Sequence, residues 1–227
     1  LRTYDLSHPY PEEFNRQAIS RIAAFNFCPT ARSYAHVEQE KTPGKGFVVG
    51  NTVLDNLVHL KPSYSDNVIV TMHRRENHHW MDQWFKKIDA LAAKHAELNF
   101  ILPLHPNPNV KKHAHLLKNV LVVDPVPYEE FMEMLASCKF AITDSGGLQE
   151  ELSFFNKICI VCRTETERKM GVGTFSFLCK SPEDLEKLFT NVNNNHMAAE
   201  GIKSPYGDGR SAERILKLIK DGYVTGI

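Results

Sequence analysis

The run Asp144-Ser145-Gly146-Gly147-Leu148-Gln149-Glu150-Glu151, entered from the apolar stretch Phe140-Ala141-Ile142-Thr143, carries the residue types best suited to chemistry in this chain. An apolar strand feeds a glycine pair, and the pair opens a helix. Glycines at such a corner let backbone approach a ligand closely. The unpaired N–H groups of the helix's first turn, at the positive end of its dipole, favour an anion such as a phosphate. Glu150 and Glu151 lie just inside the helix, where a carboxylate facing a pocket can accept both hydrogen bonds of a ribose diol and would repel a bare phosphate. The combination suits a sugar nucleotide. A plainer reading stays open: Asp144 or Ser145 caps the helix, the glycines form a tight turn, and the glutamates are surface residues favoured by the dipole.

Three further polar clusters follow apolar strands. His73-Arg74-Arg75-Glu76-Asn77 sets two guanidiniums beside a histidine, a set that can bind a diphosphate and stabilise charge on a leaving phosphate; alternatively it is a solvated loop whose arginines pair with Glu76. His105-Pro106-Asn107-Pro108-Asn109 is stiffened by its prolines and presents one histidine to a ligand or to the next helix. Asp124 to Phe131 brings aromatics to a helix start, where one can lie near a nucleobase or belong to the core. Pro205-Tyr206-Gly207-Asp208-Gly209-Arg210 closes the series as a glycine-bracketed turn. Clusters at the strand ends of one sheet converge on one cleft.

The elements that must position these residues are legible as a pattern. A helix is expected from Glu12 to Phe25, after the stop signals Pro9 and Pro11, with Phe14, Ala18, Ile22 and Phe25 at helical spacing. Apolar pieces at Phe25–Cys28 and Gly46–Val49 flank a polar helix over Ala31–Lys41, and Gly50-Asn51-Thr52 leads into a capped helix. Lys61 to Asn67 reads as a linker. Beyond it, strands at 68–72, 99–104, 120–123, 140–143, 158–162 and 174–178 alternate with helices at 80–95, 109–117, 129–137 and 148–155. A helix starts near Ser181, Asn191–Asn195 reads as a loop, and a last amphipathic helix runs from Gly209 to Lys220. Near-continuous apolar strands between amphipathic helices imply an α/β, doubly wound parallel sheet covered on both faces, with ligands at the carboxyl ends of its strands.

Composition narrows the function classes. Lysine plus arginine equals aspartate plus glutamate at 27 each, so no global field recruits nucleic acid or an anionic membrane. No apolar run approaches the roughly 20 residues of a membrane helix, and the expected setting is soluble and cytoplasmic. Five cysteines scattered in apolar surroundings suit reduced core thiols, and Cys159-Ile160-Val161-Cys162 lacks the second ligand pair of a zinc site.

Taken together, these residues resemble the UDP-N-acetylglucosamine 2-epimerases, closest to the non-hydrolysing bacterial type. The resemblance rests on Leu1-Arg2-Thr3, Pro11-Glu12-Glu13 with Asn15-Arg16, Cys28-Pro29-Thr30, Gly50-Asn51-Thr52-Val53, His73 to Asn77, Pro103 to His105 with Asn107-Pro108, Asp144 to Glu151, Thr166-Glu167-Arg168 and Ser204 to Arg210. It implies two Rossmann-like lobes in the GT-B manner, with residues 1–60 the rear part of the first lobe, 61–205 the UDP-binding lobe and 206–227 a C-terminal helix. The front part of the first lobe, with a catalytic aspartate and glutamate, would precede Leu1, so the segment alone is not expected to carry the whole reaction.

By the same resemblance Ser145, Gly146 and Gly147 would hold phosphate, Glu151 the ribose hydroxyls, Phe131 the uracil, and His73 with Arg74 the diphosphate. Glu12 and His73 would be catalytic, and Arg74, His105 and Glu13 would match a regulatory sugar-nucleotide site of some members. The implied reaction interconverts UDP-N-acetylglucosamine and UDP-N-acetylmannosamine through a glycal, with no cofactor, nicotinamide or metal, in a homodimer serving polysaccharide synthesis. Two rivals accompany it, a hydrolysing epimerase releasing N-acetylmannosamine and a catalytically silent UDP-sugar-binding module. Lys169-Met170 after Arg168, and His78-His79-Trp80, depart from the family pattern.

Overall fold

The computed structural model of the chain describes residues 4–7 and 10–221; Leu1-Arg2-Thr3 and the stop signal Pro9 lie outside them. The chain divides into two compact units, one running to Val58 and resuming at Pro205, the other His59–Ser204.

In the first unit, helix α1 (Glu12–Ile22) precedes strand β1 (Phe25–Cys28), helix α2 (Ala31–Gln39) and strand β2 (Lys45–Val48). The two strands pair in parallel, Phe25 opposite Lys45 and Cys28 opposite Val48, with α2 as the crossover. Thr30 caps α2, its hydroxyl accepting from Ser33 N at 3.1 Å. The apolar spacing expected of α1 does not mark its buried face. The helix ends at Ile22, Phe25 belongs to β1, and Phe14 and Ile22 are exposed, while Glu13 and Ser20 are buried. Glu13 is tolerated there because four N–H groups reach its carboxylate: Tyr4 N at 3.1 Å, Arg16 Nε at 2.9 Å and Nη2 at 2.6 Å, and Gln17 Nε2 at 2.8 Å. After β2, Gly50 takes a φ of 93° that L side chains rarely adopt. Asn51 then caps a 3-10 turn over Thr52–Leu57.

The second unit contains β3 (Asn67–Thr71), α3 (Met81–Lys94), β4 (Asn99–Pro103), α4 (Pro108–Lys111), β5 (Leu121–Val123), α5 (Tyr128–Ser137), β6 (Phe140–Thr143), α6 (Gly147–Phe154), β7 (Cys159–Val161), β8 (Ser176–Leu178) and α7 (Leu185–Asn194). Its six strands are parallel in the order β5-β4-β3-β6-β7-β8. The chain starts at the middle of the sheet, winds out to β5, then returns to lay β6 beside β3. That reversal opens a crevice at the carboxyl ends of β3 and β6.

The core explains why these segments take their places. All four residues of β6 are buried, as a strand covered on both faces requires. Trp84, Phe85 and Ile88 of α3 and Phe189 of α7 join Val68, Val70, Phe100, Phe140 and Ile142 in one apolar cluster. Phe189 stacks on Phe100 at 5.7 Å and meets Phe140 edge-on at 5.4 Å.

Two further segments depart from expectation by more than a residue or two at their ends. The helix expected over 109–117 breaks into α4, which buries only Val110, and a 3-10 turn at Ala114–Leu116. The asparagine-rich stretch expected as a loop is helical up to Asn194, because Val192 is drawn into the core and burial outweighs weak propensity.

The last helix, α8 (Ser211–Lys220), belongs to the first unit. Asp55 accepts from Ser211 N at 2.9 Å and from Ala212 N at 2.6 Å, capping it from a distance. The turn at Pro205–Arg210 is part of the same unit. It lies against Gly50 and Asn51, with Asn51 N donating to Tyr206 O at 2.8 Å. Among the described residues no helix is long and apolar enough to cross a membrane, and all five cysteines are buried.

Candidate functional site

The crevice is built on one buried carboxylate. Asp144 follows β6 with no exposed surface, and its oxygens accept from His73 N at 3.0 Å, Arg74 N at 2.9 Å and Asn77 Nδ2 at 3.1 Å. Asn77 also donates to Cys162 O at 2.9 Å. One aspartate thus ties the loop after β3 to the end of β6, and its amide partner ties both to the end of β7. Thr71 and Thr143 add a hydroxyl contact of 2.6 Å between neighbouring strands, and Thr143 Oγ1 accepts from Ser145 N at 2.9 Å.

Above this brace lies a cleft of about 490 Å³. It is lined by Thr71, Met72 and His73 from the end of β3, by Pro103 to Pro106 from the end of β4, and by Pro125, Val126, Tyr128, Phe131 and Met132 from the segment after β5. Ser145, Gly147, Leu148 and Glu151 from the start of α6 complete it. Its lining combines apolar residues with His73, the open first turn of α6 and Glu151. A flat apolar ring and an anion can be held side by side in such a cleft.

The plainer reading of the glycine corner is overturned. Gly146, with no side-chain cap, precedes α6, and Glu150 and Glu151 are buried. The two glutamates have different partners. Glu150 Oε1 accepts from Arg168 Nε at 2.6 Å, whereas Glu151 Oε1 accepts from the Tyr128 hydroxyl at 3.2 Å. Burial pushes Glu151 above the usual carboxylate range, the Tyr128 hydrogen bond opposes this, and Glu150 adds to it. Burial together with Glu151 pushes Tyr128 up to about 12.

His73 stacks on His105 with ring centres 5.1 Å apart, and its Nδ1 lies 3.5 Å from Asp144. Burial lowers the His73 pKa, Asp144 opposes the shift, and His105, Arg74 and His78 reinforce it. The neutral imidazole is therefore favoured in the free site. The alternative pairing of the arginines with Glu76 does not hold for Arg74. Glu76 binds Arg163 at 2.6 Å, while Arg74 keeps a buried Nε without a hydrogen-bond partner and an Nη 3.5 Å from where a Gly146 Cβ would stand.

Glu167 also borders the corner, bridged to Arg163 at 3.0 Å and Arg168 at 2.6 Å. Burial would raise its pKa, but its backbone hydrogen bond and the two arginines leave it below the usual range.

His73, His105, Phe131, Ser145, Gly147 and Glu151 all line this cleft. Arg74 and Gly146 stand at its edge. Glu12, exposed, and Glu13, buried against Arg16, lie in the first unit. Sequence reasoning missed the Asp144 brace, the Tyr128 hydroxyl on Glu151 and the Arg163–Glu167–Arg168 bridge. An aspartate directly after a fully buried strand was the signal for the first, and the run of alternating charge at Arg163, Glu167 and Arg168 for the third; the Tyr128 hydroxyl and Glu151 lie 23 positions apart on different helices.

A family model described as UDP-N-acetylglucosamine 2-epimerase matches residues 1–220. A Campylobacter jejuni protein of that name is 32% identical, the match covering 98% of this chain and 67% of the relative. A crystal structure of the Neisseria meningitidis UDP-GlcNAc 2-epimerase bound to UDP-GlcNAc superposes with a TM-score of 0.84 at 30% identity, covering 97% of this chain and 68% of that one. A Staphylococcus aureus protein in a co-structure with UDP gives 0.86 at 30% identity, covering 100% and 68%.

Proposed function

The chain belongs to the UDP-N-acetylglucosamine 2-epimerase family, and from that premise we propose that it binds UDP-N-acetylhexosamines in the α6 cleft and takes part in their inversion at C2. The observation that carries the reading is the gathering of His73, Phe131, Ser145 and Glu151 around one cleft at the point where the strand order reverses. Each has a matching role. Phe131 and the prolines offer an apolar wall to uracil, and Glu151 offers two acceptors to the ribose diol. The first turn of α6, with Ser145, His73 and Arg74, offers donors and positive charge to the diphosphate.

The proposed chemistry is the non-hydrolysing route. A base removes the C2 proton, the C1–O bond breaks, and UDP leaves with the bonding electrons to give 2-acetamidoglucal and UDP. UDP then adds back to C1 while a proton is delivered to the opposite face of C2. The positive end of α6, His73 and Arg74 would stabilise the departing diphosphate, and Glu12 is proposed as a catalytic carboxylate on the family resemblance.

Calorimetry of UDP with this chain tests the site; no binding heat or competition would sink the proposal. Proton NMR of UDP-GlcNAc in deuterated water with this protein tests the reaction. Loss of the C2 proton signal with UDP-ManNAc formed is expected. Free N-acetylmannosamine carrying oxygen from labelled water would assign the hydrolysing route instead.

A further inference from the structure

We infer that Tyr128 is the positioning residue for ribose recognition, its hydroxyl holding the Glu151 carboxylate in the one orientation that serves a vicinal diol. The inference rests on the proposed reading of the cleft as a UDP site and names how that site would distinguish a ribonucleotide from a deoxyribonucleotide.

The two neighbouring glutamates make the case. Glu150 is tied to a guanidinium at 2.6 Å, so its charge already has a partner. Glu151, only 6% exposed, faces the cleft, and among the described residues Tyr128 is the one side chain that donates to it. One neutral donor on Oε1 leaves the other lone pairs of Glu151 for incoming hydroxyl groups.

Without the tyrosine, rotation about the terminal torsion of Glu151 is broad, and the plane of the carboxylate is not set. Tyr128 is itself well placed to act as a brace. It is the first residue of α5, whose following turns are anchored by the buried Met132, Leu135 and Ala136. The residue is 45% exposed, yet its hydroxyl reaches Glu151 on the cleft wall. Burial already disfavours the charged form of Glu151, and the same hydroxyl opposes that shift. A diol donating two hydrogen bonds is held more strongly by the charged form.

The test is the ratio of affinities for UDP and 2′-deoxy-UDP, measured by calorimetry on one preparation so that the fraction folded cancels. Tyr128→Phe is expected to reduce that ratio about tenfold by weakening UDP and sparing 2′-deoxy-UDP, the size of a lost hydrogen bond to a charged group. In a Glu151→Gln background the same substitution should leave the ratio unchanged. UDP that does not bind the unaltered chain takes down the parent reading and this one together. UDP that binds, with a ratio unmoved by Tyr128→Phe, or moved equally in the Glu151→Gln background, overturns this inference alone.

Discussion

Gly146 and Gly147 are adjacent but constrained in different ways. A Cβ on Gly146 would stand 2.5 Å from Glu167 Oε1, and Glu167 cannot yield without loosening its bridges to Arg163 and Arg168. A Cβ on Gly147 would meet nothing within 4 Å, because it would project into the cleft. Gly146→Ala should therefore lower stability by about 1–2 kcal/mol. Gly147→Ala should melt like the parent yet bind UDP at least roughly tenfold more weakly, the methyl occupying the space a phosphate would take. Thermal melts and calorimetry on the two variants separate these outcomes. His73 gives a prediction about protons. Its pKa in the free site lies below the ordinary 6.5, and a bound diphosphate would raise it. UDP affinity should then rise as the pH falls toward and below 6.5, with proton uptake on binding. Titrations in two buffers of different ionisation heat measure that uptake, and His73→Asn should abolish it.

Between elements, the decisive piece is the corner joining β3, β6 and β7. Its geometry depends on Asp144 accepting from two backbone N–H groups and the Asn77 amide in a place without water. Removing the carboxylate strands three donors, each worth about 1–3 kcal/mol when buried and unpaired. Asp144→Ala should destabilise the second unit by about 3 kcal/mol or more and displace His73 and Arg74, so that UDP binding falls as well. Denaturant unfolding followed by Trp80 and Trp84, both in this unit, reads the first effect. A variant with parental stability would show that the corner is held by something else. The helices on the sheet depend more on packing than on local preference. The second half of α7 is asparagine-rich and still helical because Val192 is buried in the core.

The molecule as a whole is two compact α/β units of different character. The second has a continuous apolar core under a six-stranded sheet; the first uses a polar network as part of its interior. In that network Arg16 spans Glu13 and Glu40 at 2.6 and 2.9 Å. The Arg16 hydrogen bond, against the opposing effect of burial, holds the Glu13 pKa at about 2, below its ordinary 4.5. A carboxylate depressed in this way contributes stability that is fully present above about 4.5 and lost as the pH falls toward 2. Amide protection in α1 and α2 should decline across that interval, and Glu13→Gln should flatten the dependence while lowering protection at neutral pH. Protection that is constant down to pH 2 would contradict the role given to this pair.

Near-continuous apolar runs alternating with amphipathic segments were enough, from the sequence alone, to specify a doubly wound parallel sheet, because strands buried on both faces have no polar side to show. The strand-to-helix glycine corner and the histidine–arginine loop were legible for a related reason: their chemistry is local, written in consecutive residues. Glu13 in the interior, the Tyr128 hydroxyl on Glu151 and the Asp144 brace were not legible, since each joins groups whose partnership exists only once separate elements pack. Strand order was decided at the same level. Apolar periodicity says that strands are buried, but which strands become neighbours, and hence where the sheet reverses and opens a cleft, follows from how the crossovers pack the helices against its faces.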